Sequence, residues 1–381
     1  MGKLKEYRVV LILVFLTILS VVFMQNFHFK SYARYNSDSL HYEKATVVEI
    51  SSENLKYDEY TDQYLGTQEL VVKMKDGPEK GELINVTNYL TQIHHVVAKE
   101  NTNLIINADR PEGITPYYTV YSYDRSSALL LCSLILIAAI IFIGKGKGFK
   151  SIFGLIYSMF VIIAFLLPAV FSGWSPILCS IITAVLSTIV TLYLLNGESK
   201  KTLAAVVSTI AGVFCALLFF LVMSRMLHLN GFSVAEAEGL ILIQQSTGLQ
   251  IKDVLFAGVL ISSLGAIMDV SMSITSSLHE VYNHNPGLSA KELFLSGVEI
   301  GKDMIGTMTN TLILAFTGSA FVTLLIFISY QVQVNELLNS NYISIEIAQG
   351  LCGTFGIVLT IPFASLITSL LLVKKKNTSC T

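Results

Sequence analysis

Long apolar runs constrain the fold of this chain more than any other feature. Eight runs are each long enough to cross the ~30 Å hydrocarbon core of a bilayer, which takes about 20 helical residues. Only 14% of the 381 residues are charged, against about 25% in an average soluble domain. The sequence therefore predicts an α-helical polytopic membrane protein with about eight transmembrane helices, whose main partner is the lipid bilayer. The runs cover residues 9–29, 126–143, 151–171, 176–195, 202–224, 254–277, 304–330 and 346–373.

Basic residues in the connecting segments predict the orientation of these helices. With the N-terminus in the cytoplasm, 13 of the 25 Lys and Arg fall in cytoplasmic segments, as the positive-inside rule expects. Arg225 and Lys252 are exceptions, because they bracket 225–253, the third of the short outer connections; the other two, 172–175 and 331–345, contain no basic residue. No small-residue cleavage site follows run 9–29, so we interpret it as a retained transmembrane anchor. Both termini, including a basic tail at 374–381, are expected in the cytoplasm.

The polar segment 30–125 between the first two runs is expected outside the cytoplasm as a small β domain. Apolar and polar residues alternate at 44–50 and 69–75, and two further candidate strands lie at 82–86 and 102–107. Such spacing fits a small barrel of the OB or SH3 type. The segment has 10 basic and 15 acidic residues, which argues against binding to anionic polymers through charge. The tyrosines from Tyr42 to Tyr123 are candidates for a binding face, although core or membrane-interface positions are the commoner use of such residues.

Two connections between the apolar runs carry helix signals of their own. On the outer side, Ser233 and Glu236 have the spacing of a capping box before a short apolar stretch, so we expect an interfacial or re-entrant helix there. On the cytoplasmic side, Ser289 and Glu292 repeat this spacing, which predicts a helix that continues into the run at 304–330. Together with these connections, the seven apolar runs that follow segment 30–125 predict a seven-helix membrane domain at residues 126–373.

Asp269 is the one acidic residue that lies well inside an apolar run. An aspartate at the centre of a membrane helix costs roughly 2.5–3.5 kcal/mol in insertion scales, so it needs a partner or a water-filled cavity. Small and polar residues recur at helical steps on its side of the helix, and a similar stripe marks the next run. The first stripe is Gly258, Ser262, Gly265, Asp269, Ser273 and Ser276; the second is Asp303, Gly306, Thr307, Asn310, Thr311 and Gly318.

The two stripes fall at similar depths in helices that run in opposite directions. We therefore expect the side chains of Asp269, Asn310, Thr307 and Thr311 to meet, with Ser273 as a further polar partner. Gly265 and Gly306 would let the two backbones approach closely. One interpretation is that these groups only lock the helices together. The other is that Asp269 binds a proton or a cation while a solute crosses the membrane.

Catalytic and nucleic-acid-binding functions have little support in the residues. No second deep carboxylate is present to form an aspartyl dyad with Asp269, and GxSxG, HExxH and Walker lysine motifs are missing from the sequence. No Cys/His spacing suggests a zinc site, and we predict no catalytic residue, metal or cofactor. The net charge of −2 supplies no basic field for a nucleic acid.

Several stretches together resemble the YibE/F-like family of bacterial multi-pass membrane proteins. The most specific are GAIMDVSMSITSSLHE at 265–280 and LSGVEIGKDMIGTMTNTLILAFTGS at 295–319. The likeness extends to GKGKGFK, to NGESKKTLAAVVSTIAGV and to the β-domain stretch KDGPEKGELINVTN. Ala320 and Phe321 stand where the family usually has Leu-Pro. The resemblance implies a bacterial plasma-membrane protein of this topology, and the family brings no established activity with it.

A weaker likeness connects the chain to proton-driven permeases of the RND and SecD/SecF type, with Gly265, Asp269 and Glu280 at the matching positions. The sequence thus predicts an ion- or proton-coupled transporter or permease component that is not an enzyme and that moves an unknown small solute or ion. A membrane scaffold or envelope assembly factor, acting through the β domain on an envelope protein partner, is the alternative, and a homo-oligomer fits either function.

Overall fold

The structure is a computed structural model that describes residues 39–373. Contacts divide the chain into two compact units, one containing the strands and the other most of the helices. The predicted anchor at 9–29 and the tail at 374–381 lie outside the described residues. Each unit is built around a separate apolar core.

The first unit contains a closed barrel of five strands in the order β1-β2-β3-β5-β4. The four predicted strands are confirmed, and a fifth, β5, was not predicted. Strands β3 and β5 pair in parallel and all other neighbours are antiparallel. The number of strands is that of an OB-type barrel, and the assignment to the OB or SH3 type stays a prediction. The strands are β1 (Leu40–Asp58), β2 (Gln63–Met74), β3 (Leu83–Leu90), β4 (Asn103–Asp109) and β5 (Tyr117–Tyr123).

Two buried amide side chains fix the segment that follows β3. The Gln68 side chain exchanges hydrogen bonds with the backbone of Ala98, at 3.1 and 3.0 Å. Asn88 Nδ2 donates to Gln68 Oε1 at 3.0 Å and to the Val96 carbonyl at 2.7 Å, so this segment is held against the barrel. His94 Nε2 lies 3.4 Å from Asn88 Oδ1. Burial, with a smaller contribution from His95, lowers the pKa of His94.

An ion cluster joins β1, the β2–β3 turn and the end of β4. Arg110 donates two hydrogen bonds of 2.8 Å to the two carboxylate oxygens of Glu43, which is only 6% exposed. The same guanidinium binds Glu79 and holds the pKa of that carboxyl below its usual range. Gly77 has a φ of 80°, and a Cβ there would clash with the Glu43 carboxylate. Glycine in this turn therefore makes room for the cluster.

The second unit is helical, and its long helices include six that could cross a membrane by length and hydropathy. A short π-helical segment at Ile162–Leu166 joins α1 to α2. The described helices are α1 (Ser126–Val161), α2 (Leu167–Phe171), α3 (Pro176–Asn196), α4 (Lys200–Met226), α5 (Ala237–Thr247), α6 (Val254–His284), α7 (Ala290–Ser329), α8 (Val334–Asn339) and α9 (Asn341–Val373).

Helix α1 is interrupted at Lys145, where φ is 47° and ψ is −129°. A Cβ on Gly148 would clash with the carbonyl oxygen of Ile140. Residues eight apart in a straight helix are separated by about 12 Å, so the chain folds back on itself at this break. The predicted runs 126–143 and 151–171 lie on either side of it, within one continuous candidate span, Ser126–Phe171. The count of about eight membrane helices stays a prediction.

Helices α4, α6 and α9 form the centre of the bundle. Helix α4 packs tightly on α9 at Gly212, where a Cβ would clash with the Thr360 hydroxyl of α9. One turn away, the hydroxyls of Ser208 and Ser271 are 2.6 Å apart, and Ser271 Oγ donates to the Ala205 carbonyl at 2.8 Å. Small side chains and hydroxyl hydrogen bonds thus bring α4 close to both neighbours, as is common in membrane bundles.

The two predicted capping boxes have different outcomes. The box at Ser289 is confirmed: its hydroxyl accepts from the Glu292 backbone N–H at 3.2 Å, while the Ser289 N–H donates to the Glu292 carboxylate at 2.8 Å. The box at Ser233 and Glu236 is wrong. Asn230 caps a 3₁₀ turn there with Ser233 as its third residue, and α5 begins at Ala237 without a side-chain cap.

Candidate functional site

Asp269 stands at the middle of α6, on the face that points away from the centre of the bundle. The opposite face of α6 is buried and contains Ile267, Val270 and Ile274, each 0% exposed. Asp269 is exposed, and Ser273, one turn further on, is half-buried. Among residues 39–373, no hydrogen bond or ion pair engages the Asp269 carboxylate. The carboxylate is therefore free to bind a group from outside the described residues.

Thr307, Asn310 and Thr311 lie on an exposed face of α7. The Thr307 hydroxyl donates to the Met304 carbonyl at 3.1 Å, and the Thr311 hydroxyl donates to the Thr307 carbonyl at 2.8 Å. Both hydroxyls thus satisfy backbone groups of their own helix. The side of α7 that packs on the core is apolar, with Met304, Ile305, Met308 and Leu312. The predicted polar stripe is present, but it faces away from the bundle core.

The structure does not bring the predicted polar residues into hydrogen-bond contact. In the described part of the chain, Asp269 makes no hydrogen bond to Thr307, Asn310 or Thr311. The expected close approach at Gly265 and Gly306 is also not met, because a Cβ on either glycine would have no neighbour within 4 Å. The role of these residues as an ion, proton or substrate site stays a prediction.

Close approach of α7 to the bundle occurs instead nearer its N-terminal end. A Cβ on Gly301 would clash with Ile361 of α9, and one on Gly297 would lie 2.6 Å from the Ser365 hydroxyl and 2.8 Å from Leu278 Cδ1. Beyond Gly301, the residues of α7 are exposed or half-buried, and Ala320 is the only buried residue in that part of the helix. Helix α7 is thus anchored at one end, and its polar stripe begins where the tight packing stops.

A second carboxylate in the helical unit was missed because it lies at the first residue of a predicted run. Glu346 is in the second turn of α9 and lines a cavity of about 290 Å³ between α7 and α9. Its Oε2 atom is buried and has no hydrogen-bond partner within the described residues. Thr317 of α7 lines the same cavity. Helix α9 starts five residues before Glu346. Extending the predicted run toward its N-terminal side would therefore have placed Glu346 inside a helix.

The arrangement offers carboxylate and hydroxyl oxygens. In the described part of the chain, no group of three or more His, Cys, Asp or Glu residues is placed to hold a metal ion. A lone carboxylate with neighbouring hydroxyls can accept a proton or bind a cation that keeps part of its water shell. Residues 39–373 contain six helices that are long and apolar enough to cross a membrane, as is characteristic of a polytopic membrane protein.

Comparison with known families agrees with this class. The model of the YibE/F-like protein family matches residues 132–374, which extend from the second turn of α1 to just past the end of α9. The chain therefore belongs to the YibE/F-like family, as the sequence motifs indicated. No curated protein and no solved structure matches the chain.

Proposed function

We propose that this protein is an ion- or proton-coupled transporter, or the membrane component of one, in which Asp269 binds the coupling ion. The observation that carries the proposal is the free carboxylate at the middle of a candidate membrane helix. A structural lock would leave Asp269 hydrogen-bonded to the polar residues of α7, whereas within residues 39–373 its carboxylate has no hydrogen-bond or ion-pair partner. An unpaired carboxylate at the middle of a membrane helix needs water or a ligand.

The polar face of α7 supplies a route for the ion in this proposal. Thr307, Asn310, Thr311 and Thr317 follow one another along about 15 Å of the helix. Thr317 borders the cavity that contains Glu346, so the stripe leads from that cavity toward the layer of Asp269. Glu346 and Asp269 would then bind the ion in turn, and the α7 hydroxyls and amide would coordinate it in between.

The cellular arrangement belongs to the same proposal. We place the protein in the bacterial plasma membrane with about eight transmembrane helices, both termini in the cytoplasm and the barrel on the opposite side. The distribution of basic residues supports this orientation. A barrel outside the membrane would be positioned to deliver a solute to the bundle or to receive one from it.

Flux measurements in liposomes test the role of Asp269. Wild-type protein, Asp269→Asn and the matched control Glu299→Gln are reconstituted with an internal pH dye, and a pH gradient or a gradient of Na⁺ or K⁺ is applied. Asparagine keeps the size of the side chain and removes the charge, and Glu299 is an exposed carboxylate of α7 paired with Lys302. We expect wild type and Glu299→Gln to dissipate one of the gradients and Asp269→Asn to fail while folding normally.

Equal flux through all three proteins would refute the role of Asp269. Misfolding of Asp269→Asn would also count against it, because a structural carboxylate would then explain the residue. A complementary measurement is thermal unfolding from about pH 5 to 9 with a panel of cations. A ligand that binds only the folded state raises the melting temperature, and the proposal requires that increase to disappear in Asp269→Asn.

The barrel supports a second candidate function, that of a membrane scaffold. Its outer surface exposes paired tyrosine rings: Tyr42 and Tyr121 are 4.7 Å apart between ring centroids, and Tyr57 and Tyr64 are 5.3 Å apart. Exposed aromatic rings are common anchors of protein interfaces. For a scaffold, we expect residues 30–125 to retain a specific envelope protein and Tyr42→Ala/Tyr121→Ala to abolish that binding. Retention of the partner by the double variant would exclude this surface.

A further inference from the structure

A second large cavity lies at the end of the bundle where α4 stops and α6 begins. It has a volume of about 560 Å³ and extends between the start of α3, the end of α4 and the turn before α6. Ligand sites for small molecules usually measure about 300–1,000 Å³. The cavity is separate from Asp269 and from the cavity that contains Glu346, and the proposed transport mechanism does not use it.

The mouth of this cavity carries an excess of positive charge. Arg225, His228 and Lys252 line it and are all exposed, while Asp253 is the one acidic lining residue. Within residues 39–373, neither Arg225 nor Lys252 forms an ion pair or a hydrogen bond through its side chain. Two cations without partners beside a single carboxylate leave the cavity with a net positive charge, which favours an anionic ligand.

The floor of the cavity is apolar, while polar atoms contribute the larger part of the rest of its lining. Phe220 and Phe256 are 3% and 5% exposed, and their rings meet edge to face with centroids 5.3 Å apart. Leu255 and Leu229, both nearly buried, extend this floor. A free inorganic anion would gain nothing from such a surface, whereas an apolar chain would gain about 0.8 kcal/mol for each buried CH₂ group. The combination fits an anionic group attached to a hydrocarbon chain.

The position of the two cations in the sequence is a separate argument. Arg225 and Lys252 are the only Lys or Arg in the connection 225–253, which the orientation derived from basic residues places on the outer side. Basic residues are disfavoured in short outer loops. Both exceptions line the same cavity, although they lie 27 positions apart in the chain. A shared ligand accounts for both.

We propose that this cavity is a binding site for an anionic amphiphile, with the phosphate or carboxylate held by Arg225 and Lys252 and the hydrocarbon chain lying on the phenylalanine floor. Arg225 provides several N–H donors in a fixed plane that suits such oxyanions, and Lys252 adds a mobile point charge. A phospholipid and a fatty acid share this chemistry.

The test uses the full-length protein in dodecyl maltoside and measures its apparent affinity for four probes by thermal unfolding. The probes are phosphatidylglycerol, phosphatidylcholine, decanoate and inorganic phosphate. The variant Arg225→Gln/Lys252→Gln removes both cations, and Lys291→Gln is a matched control, since Lys291 is an exposed cation at the start of α7. A ligand of the folded state raises the melting temperature in proportion to its occupancy.

We expect phosphatidylglycerol or decanoate, or both, to raise the melting temperature of the wild type and of Lys291→Gln, with at least about tenfold weaker affinity in the double variant. Response to phosphatidylglycerol alone identifies a phospholipid site, and response to decanoate alone a fatty-acid site. The proposal is wrong if phosphatidylcholine acts as strongly as phosphatidylglycerol, if inorganic phosphate acts as strongly as either amphiphile, or if the double variant binds like wild type.

Discussion

Replacing Arg110 by methionine tests whether the ion cluster of the barrel is essential to its stability. The change removes both 2.8 Å hydrogen bonds to Glu43 and leaves a carboxylate that is 6% exposed without its cationic partner. Breaking a buried ion pair by removing one member costs about 3–5 kcal/mol, because the remaining charge stays desolvated. In a domain of this size 1 kcal/mol lowers the melting temperature by about 4–8 °C, so we expect a loss of at least about 12 °C.

The assay is thermal and urea unfolding of residues 39–126, followed by circular dichroism, with a control at a pair whose cation is more exposed. Lys44 lies 3.3 Å from Asp124 and is 43% exposed. Asp124 is 10% exposed but keeps its hydrogen bonds from the Ser126 N–H and hydroxyl, so Lys44→Met should cost less than about 1 kcal/mol. The double variant Glu43→Gln/Arg110→Met should recover much of the loss, since both charges are then absent. A cost of Arg110→Met no greater than that of Lys44→Met, or no recovery in the double variant, would refute this reasoning.

Two further predictions concern the barrel at low pH and the packing of α7. Because burial lowers the pKa of His94 in the folded state, the unfolded chain binds the proton more readily. The barrel should therefore lose stability as the pH falls below about 6.5. Urea unfolding at several pH values should show that the free energy of unfolding depends less on pH in His94→Gln than in the wild type. Gly301→Ala should destabilise the bundle by about 1–3 kcal/mol through the clash with Ile361, whereas Gly306→Ala should be tolerated, as detergent melting curves would show.

The sequence predicted secondary structure well where one physical signal dominated. Apolar length identified the helices, since a run that must cross hydrocarbon cannot be interrupted by charge. Period-2 alternation identified four strands, and the Ser289 capping box identified the start of α7. Strand β5, YYTVYSY, was missed because tyrosines stand at both odd and even positions, so its apolar and polar residues do not alternate with a period of two.

The candidate site was harder to predict because the hydrophobic pattern in a membrane protein does not show which side of a helix is inside. Lipid is as apolar as leucine, so an apolar face can pack against either lipid or protein. The polar stripe of α7 was correctly identified as one face, and the core was then assumed to lie on that side. The structure instead places Met304, Met308 and Leu312 on the core side.

This reversal strengthens the functional argument for Asp269. Had its carboxylate been bonded to Thr307 or Asn310, mutual satisfaction of buried polar groups would explain the residue without any transport function. Asp269 is exposed and unpaired within residues 39–373, and a carboxylate facing hydrocarbon would cost roughly 2.5–3.5 kcal/mol. Contact with water, with an ion or with another protein surface would remove that cost. Of these, water and an ion are the two that a coupled transporter needs to bring to the middle of its membrane helices.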